Sequence, residues 1–415
     1  MPTAMVAGAT GILGREIVKE LCSRPDEWTA VYTMSRSKKE DFGPQVRHIH
    51  LDLNAKPEDM AKDMANLQVD YVFFAAYLQM NSEEENTRVN GTSEFLIKEP
   101  SKANSKEGDM LDAFCKALEI NGHAAGIKRF VLVTGAKNYG VYFGEVKIPM
   151  EEDDPWLPEP PFPPNFYYRQ QHILHNFTKK HGIEWNVTYS NEVFGFAKGN
   201  FMNFASAIAI YAAVSKELGD ELVFPGSEEF YKIVTMFTDA GLHARFVRWA
   251  SLESLAANQA FNVTNGDVES WMNLWPKVAK YFGLSVPSDQ FLRSAPLASE
   301  RPLAKESPLS VVANDIGLKG RAPQSYLRPR VDLVKWAETD EVQSAWKRLS
   351  DTHGLDPETL EKATWAFANF AWGRDYNVVL SMTKARNLGW TGYLDSWENL
   401  RNIFDELKKE KVIPN

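Results

Sequence analysis

Three glycines near the amino terminus stand at a spacing suited to holding phosphate. They lie in Gly8-Ala9-Thr10-Gly11-Ile12-Leu13-Gly14, between an apolar run at 3–7 and a helix-like stretch at 13–22. In such a turn the first glycine permits the tight bend and the second lets a pyrophosphate approach the backbone. The third lets the helix pack closely on the strand. The helix amino terminus then offers free N–H groups to the anion. The position between strand and helix makes Gly8, Thr10, Gly11, Ile12, Leu13 and Gly14 a predicted dinucleotide site.

The second apolar run, 29–34, leads into Ser35-Arg36-Ser37. An acidic residue there would accept hydrogen bonds from a ribose 2′-hydroxyl and select NAD. Arginine among serines suits a 2′-phosphate, so NADPH is the expected cofactor. Asp52 and Leu53, closing the third run (48–53), are placed beside the adenine. Ala75, Ala76 and Tyr77 close the fourth (70–76), and Thr134 and Gly135 the fifth (129–134). Val193 follows the sixth (184–189). All of these should line the same cleft at the strand carboxyl ends.

Groups able to move protons come next. A short-chain reductase pairs a tyrosine with a lysine four residues later, which lowers the phenol pKa and holds the cofactor ribose. In the helix-like segment 166–180, Tyr167 and Tyr168 are adjacent, and four residues after Tyr168 stands His172. The charge must come from elsewhere, and Lys137, just past the fifth strand, is a candidate. His172, one turn beyond Tyr168, reads as a surface or packing histidine.

The elements that must position these groups alternate in the α/β manner of a doubly wound parallel sheet, a Rossmann-type arrangement. Helix-like stretches at 13–22, 57–67, 110–121 and 166–180 separate the apolar runs. "YVFFAA" and "RFVLVTGA" suit strands buried on both faces. Residues 80–108, charged and rich in small polar side chains, read as an exposed insertion. The proline-rich stretch 152–165 delays the next helix until after Pro164. Residues 260–267 read as one more strand, and the chain beyond Trp271 as mostly helical. The expected division is a nucleotide-binding domain of residues 1–192, with 220–283 partly returning to its sheet. A smaller, mainly helical substrate-binding or lid region would take 193–219 and 284–415. Aromatic stripes at 201–211 and at Trp365, Phe367, Phe370 and Trp372 suit core or a pocket wall.

Composition narrows the partners. The 415 residues carry 46 basic and 55 acidic side chains, a net charge of -9 that argues against a nucleic-acid surface. No run reaches the apolar length of a spanning helix, and "MPTAMVAGATG" has no basic start like that of a secretory signal. Two cysteines form no disulfide framework, so a cytoplasmic setting is expected. The eight histidines show no metal-ligand spacing.

Several fragments together carry a resemblance: "GATGILG", "TGAKNYG", "NFYYRQQHIL", "VFGFAKGNFMN", "AFNVTNGDVESWMNLWPKVAKYFG" and "DSWENLRNIFDELKKEKVIP". The chain resembles the progesterone 5β-reductase and iridoid synthase family of atypical extended short-chain dehydrogenases, along most of its length. The resemblance implies 1,4-reduction, with hydride from NADPH passing to the β-carbon of a small apolar enone or enal. It implies Tyr168 and Lys137 as the groups at the substrate carbonyl, with Tyr167 second to Tyr168. It places Tyr139, Phe201, Met202 and Asn203 along the substrate pocket. Departures lie on the substrate side: Asn138 replaces the histidine of the usual Lys-His-Tyr, Gln171-His172 replaces an acidic pair, and Ser190-Asn191 replaces a proline-glycine pair. Direct reduction of a ketone or imine, and a non-catalytic NADP-binding sensor, are the competing readings. A homodimer is compatible with either enzyme reading.

Overall fold

The computed structural model describes residues 1–36, 40–77, 105–197 and 202–415, the side chains of 105–109 excepted. Seven strands form the central sheet: β1 (Thr3–Ala7), β2 (Ala30–Ser35), β3 (Val46–His50), β4 (Tyr71–Phe74), β5 (Arg129–Gly135), β6 (Glu184–Ser190) and β7 (Gln259–Val263). All pair in parallel, in the order β3-β2-β1-β4-β5-β6-β7. The order reverses between β1 and β4, which opens a crevice outside the strand carboxyl ends.

Helices cover both faces: α1 (Ile12–Cys22), α2 (Pro57–Asp63), α3 (Ser105–Ile120) and α4 (Phe166–His181) join the first six strands. Further on come α5 (Phe204–Leu218), α6 (Ala240–Leu252), α7 (Trp271–Phe282), α8 (Asp340–His353), α9 (Trp365–Gly373) and α10 (Ser396–Lys409). Side chains alternate across a strand, so continuous apolar runs feed two cores. Met5, Ala7, Val72 and Phe74 meet α2, α3 and α4 on one face. Ala4, Val6, Val31 and Phe73 meet α1 and α6 on the other. A third core draws α5, α7, α8, α9 and α10 together around Trp271, Trp275 and Trp372, whose rings meet edge-on at 5.3–5.9 Å.

Several boundaries differ from expectation. β3 ends at His50, because Asp52 Oδ1 accepts from the backbone N–H of Asn54 and turns the chain. Helix α3 begins at Ser105, so residues 105–108 belong to it rather than to an exposed insertion; 80–104 lie outside the described residues. Residues 284–332, expected to be mostly helical, contain no α-helix. Pro287, Pro296, Pro302, Pro308, Pro323 and Pro329 punctuate that stretch, and each removes a backbone donor. Helix α7 packs in the third core, whereas α6 and β7 extend the sheet layers. Among the described residues no helix is long and apolar enough to cross a membrane.

Candidate active site

A cavity of about 470 Å³ occupies the crevice at the strand carboxyl ends. Gly8, Thr10, Gly11, Ile12 and Leu13 form one wall. Gly8 has φ +80°, and a Cβ there would lie 2.6 Å from the Ala75 carbonyl oxygen. A Cβ on Gly14 would lie 2.1 Å from the Gly8 carbonyl oxygen, so this glycine, outside the cavity lining, fixes how closely α1 approaches the turn. The first N–H groups of an α-helix lack intrahelical partners, and no side chain caps α1. The cradle thus exposes backbone donors where any side chain would intrude, which fits a dinucleotide pyrophosphate.

Ser35 and Arg36 line the end beyond β2; Ser37 lies outside the described residues. Arg15, nearby in sequence, is held by Glu16, Glu40 and Glu406 at 3.1–3.3 Å. Asp52 and Leu53 join the lining from the turn after β3, and Ala75, Ala76 and Tyr77 from the end of β4. Thr134, Gly135 and Val193 complete the predicted set. Thr134 Oγ1 donates to the Thr188 carbonyl at 2.8 Å, and Ser190 Oγ donates to the Thr134 carbonyl at 3.1 Å. These bonds fix the ends of β5 and β6 against each other.

Lys137 and Tyr167 line the same cavity. Lys137 sits half-buried on a short 3₁₀ turn, Ala136–Tyr139, directly after β5. Tyr167 is in the first turn of α4, its hydroxyl within 3.6 Å of where a Cβ on Gly135 would be. Asn165 joins the two. Its Oδ1 caps α4 by accepting from Tyr167 N–H at 3.0 Å, and its Nδ2 donates to the Lys137 carbonyl at 2.8 Å. Gln171 braces them from behind. Its Nε2 donates to Asn138 Oδ1 at 2.9 Å and to the Tyr167 carbonyl at 3.2 Å, while its Oε1 accepts from Tyr189 at 2.8 Å.

The geometry brings Tyr167, rather than the expected Tyr168, into the cavity lining. The Tyr168 hydroxyl donates to the Asn138 carbonyl at 2.8 Å and accepts from Leu157 N–H at 3.0 Å. Its ring stacks on Trp156, centroids 4.3 Å apart and planes 5° from parallel, and burial pushes its pKa up to about 12. Tyr168 is outside the cavity lining. His172 is exposed and meets the edge of Trp156. Four residues after Tyr167 stands Gln171, so neither tyrosine is followed by a lysine at that spacing.

Of the predicted substrate pocket, Met202 lines the cavity and Phe201 lies outside the described residues. Tyr139 is instead buried beneath the sheet end, its hydroxyl donating to Asn262 Oδ1 of β7 at 2.7 Å. Asn203 caps α5, accepting from Ser206 N–H at 3.2 Å. Phe204 and Tyr211 belong to the third core, as do Trp365 and Trp372, whereas Phe367 and Phe370 reach the cavity. Sequence reasoning missed Gln170, Glu192 and Arg374, all of which line it. A charged residue two positions past the carboxyl end of β6 was the available signal for Glu192.

The family described as the PRISE-like Rossmann-fold domain matches residues 58–296. An uncharacterized protein of Schizosaccharomyces pombe is 38% identical, over 99% of this chain and 98% of its own. An (S)-8-oxocitronellyl enol synthase of Camptotheca acuminata is 27% identical over 99% and 93%. A 3-oxo-Delta(4,5)-steroid 5-beta-reductase of Arabidopsis thaliana is 26% identical over the same shares. Among solved structures, UDP-glucose 4-epimerase of Thermotoga maritima shares the fold, with a TM-score of 0.58 at 15% identity, over 98% of this chain and 99% of that one. The chain therefore belongs to the PRISE-like Rossmann-fold family, and it is an NAD(P)-dependent oxidoreductase of the short-chain dehydrogenase type.

Proposed function

We propose that this enzyme uses NADPH to reduce the C=C bond of a small, largely apolar enone or enal. The observation that carries the reading is that Tyr167 and Lys137 line one cavity with the glycine turn and the apolar Met202, Phe367 and Phe370. Bound NADPH would supply the hydride, held by the Gly8–Gly14 turn and by Arg36 at the 2′-phosphate. Addition at the β-carbon moves negative charge onto the carbonyl oxygen as an enolate. Asn165 ties the backbone of Tyr167 to that of Lys137; the phenol donates a hydrogen bond to that oxygen, and the Lys137 ammonium adds a favourable field. The α-carbon then takes its proton from the phenol or from solvent. Tyr168 has no part in this, because its hydroxyl is already engaged on both sides. The Arabidopsis relative's name describes such a substrate, a ketone conjugated to a C=C bond. The free Cys22 and Cys115 suit the cytoplasm, where we place the enzyme.

The test is product identity. Purified enzyme, NADPH and a panel of cyclic enones and acyclic enals should give saturated carbonyl compounds, identified by NMR. Allylic alcohols as products, or binding of NADPH with no turnover of any panel member, would overturn the reading.

A further inference from the structure

Enone reduction as described leaves a buried charge pair in the cavity without a task. Glu192 follows β6 and Arg374 follows α9; their side chains are 4% and 1% exposed, they form an ion pair, and both line the cavity. Arg374 is well provided for. Its Nε donates to the Ala371 carbonyl at 3.2 Å, and its guanidinium lies 4.7 Å from the Phe230 ring centroid and 5.4 Å from that of Phe370. Ser227 Oγ holds its carbonyl at 2.8 Å. Glu192 is not: Oε1 meets Arg374, while Oε2 is buried with no hydrogen-bond partner among the described residues. Burial raises the pKa of this carboxyl and Arg374 opposes the rise. A buried carboxylate oxygen without a donor is costly, and folding alone gives no reason to keep it so.

Phe370 lies against the Arg374 guanidinium and also lines the cavity, so the pair borders an apolar part of the lining. The charges of Glu192 and Arg374 cancel, so a cationic ligand would bring an unmatched charge into a desolvated site. A neutral donor completes the acceptor without that penalty. We propose that Glu192 is a specificity-determining residue whose Oε2 accepts a hydrogen bond from a substrate hydroxyl remote from the reacting carbonyl. The preferred substrate is then a hydroxylated, otherwise apolar enone. This rests on the enone-reductase reading for the other end of the molecule.

The probes are enones bearing hydroxyalkyl chains of graded length, each with its methyl ether and its alkyl parent. Binding is measured by calorimetry on the NADP⁺-loaded enzyme, and kcat and KM on the NADPH-loaded one. At the best chain length the hydroxyl compound should bind about 10- to 100-fold more tightly than either partner, as for a hydrogen bond to a charged group. In Glu192→Gln that preference should collapse, mostly through KM, with NADPH affinity unchanged. Because a lone Arg374 could hinder folding, Glu192→Gln/Arg374→Met removes both charges and should bind the ether and the hydroxyl compound alike. Equal binding of all three compounds by wild type at every length, binding of none, or equal loss of NADPH affinity in Glu192→Gln would overturn the proposal. Turnover without hydroxyl preference would sink this inference alone; hydroxyl-selective binding without turnover would sink only the reductase reading.

Discussion

Replacing each of the adjacent tyrosines by phenylalanine separates catalysis from architecture. Tyr167→Phe removes one hydroxyl from the cavity wall and keeps the ring, which packs on Phe166 at 4.2 Å. The helix cap runs from the backbone N–H of residue 167 to Asn165 Oδ1, so it survives. Loss of one preorganised oxyanion donor costs about 10²- to 10³-fold in kcat, or roughly 3–4 kcal/mol of transition-state stabilisation. NADPH affinity should hardly move. Tyr168→Phe keeps the stack on Trp156 but strips a donor from the Asn138 carbonyl and an acceptor from Leu157 N–H, both buried. Each unsatisfied group costs about 1–3 kcal/mol, so a loss of roughly 2–6 kcal/mol of stability is expected for the pair. The assay is NADPH consumption at saturating cofactor and enone, normalised to folded protein, beside urea unfolding of each variant. A Tyr168→Phe enzyme of normal stability that has lost catalysis, with Tyr167→Phe still active, would refute the assignment.

Other perturbations test the nucleotide site and the core. Arg36→Ala should weaken NADPH binding about 10- to 100-fold while leaving NADH binding nearly unchanged, by fluorescence titration; equal losses would remove Arg36 from the 2′-phosphate. Gly14→Ala places a Cβ 2.1 Å from the Gly8 carbonyl, so the turn must shift. The expected result is at least about a tenfold loss of nucleotide affinity and 1–3 kcal/mol of stability, and unaltered titration and unfolding curves would contradict it. His243, fully buried against Thr188, has its pKa lowered to about 3 by burial. The unfolded chain takes up this proton near its ordinary pKa and the native state does not. Stability is therefore complete above about pH 6.5 and falls by roughly 1.4 kcal/mol per pH unit below it, down towards the native pKa. Urea unfolding of His243→Gln should show that much less acid sensitivity, and identical slopes for the two proteins would refute a neutral buried histidine.

How much of this was legible in the sequence follows from the range of the forces involved. The glycine turn and the strands of a parallel sheet are local signals, since each needs a continuous run of particular residue types. The choice between Tyr167 and Tyr168 is not local. Adjacent helical residues point about 100° apart, and which one meets the cleft depends on how α4 is set down on the sheet. Here Trp156 and Leu157, in the proline-rich connection, fold back and engage Tyr168, which turns Tyr167 inward. Four residues on from Tyr168 stands exposed His172, and four on from Tyr167 stands buried Gln171. The resemblance puts Tyr139 in the pocket, but its hydroxyl meets Asn262, on a strand 123 residues later. Glu192 and Arg374, 182 residues apart, could be paired only once the chain after α9 had been brought to the chain after β6.

The departures from the resembled family acquire a meaning from the same packing. The usual histidine after the lysine and the usual acid on the tyrosine helix correspond to Asn138 and Gln171, which here touch at 2.9 Å. A histidine and a carboxylate at these positions could form a charge-assisted hydrogen bond; two amides form a neutral one. The amide pair keeps the brace behind Tyr167 without titratable groups. Asn138→His and Gln171→Glu should each disturb kcat alone, because each leaves the other partner mismatched. Together they should recover, with a coupling energy of about 0.5–3 kcal/mol in a double-mutant cycle. The double variant should also gain a pH inflection in kcat that the wild type lacks. Additive losses with no new inflection would mean that the two side chains are neighbours without being partners.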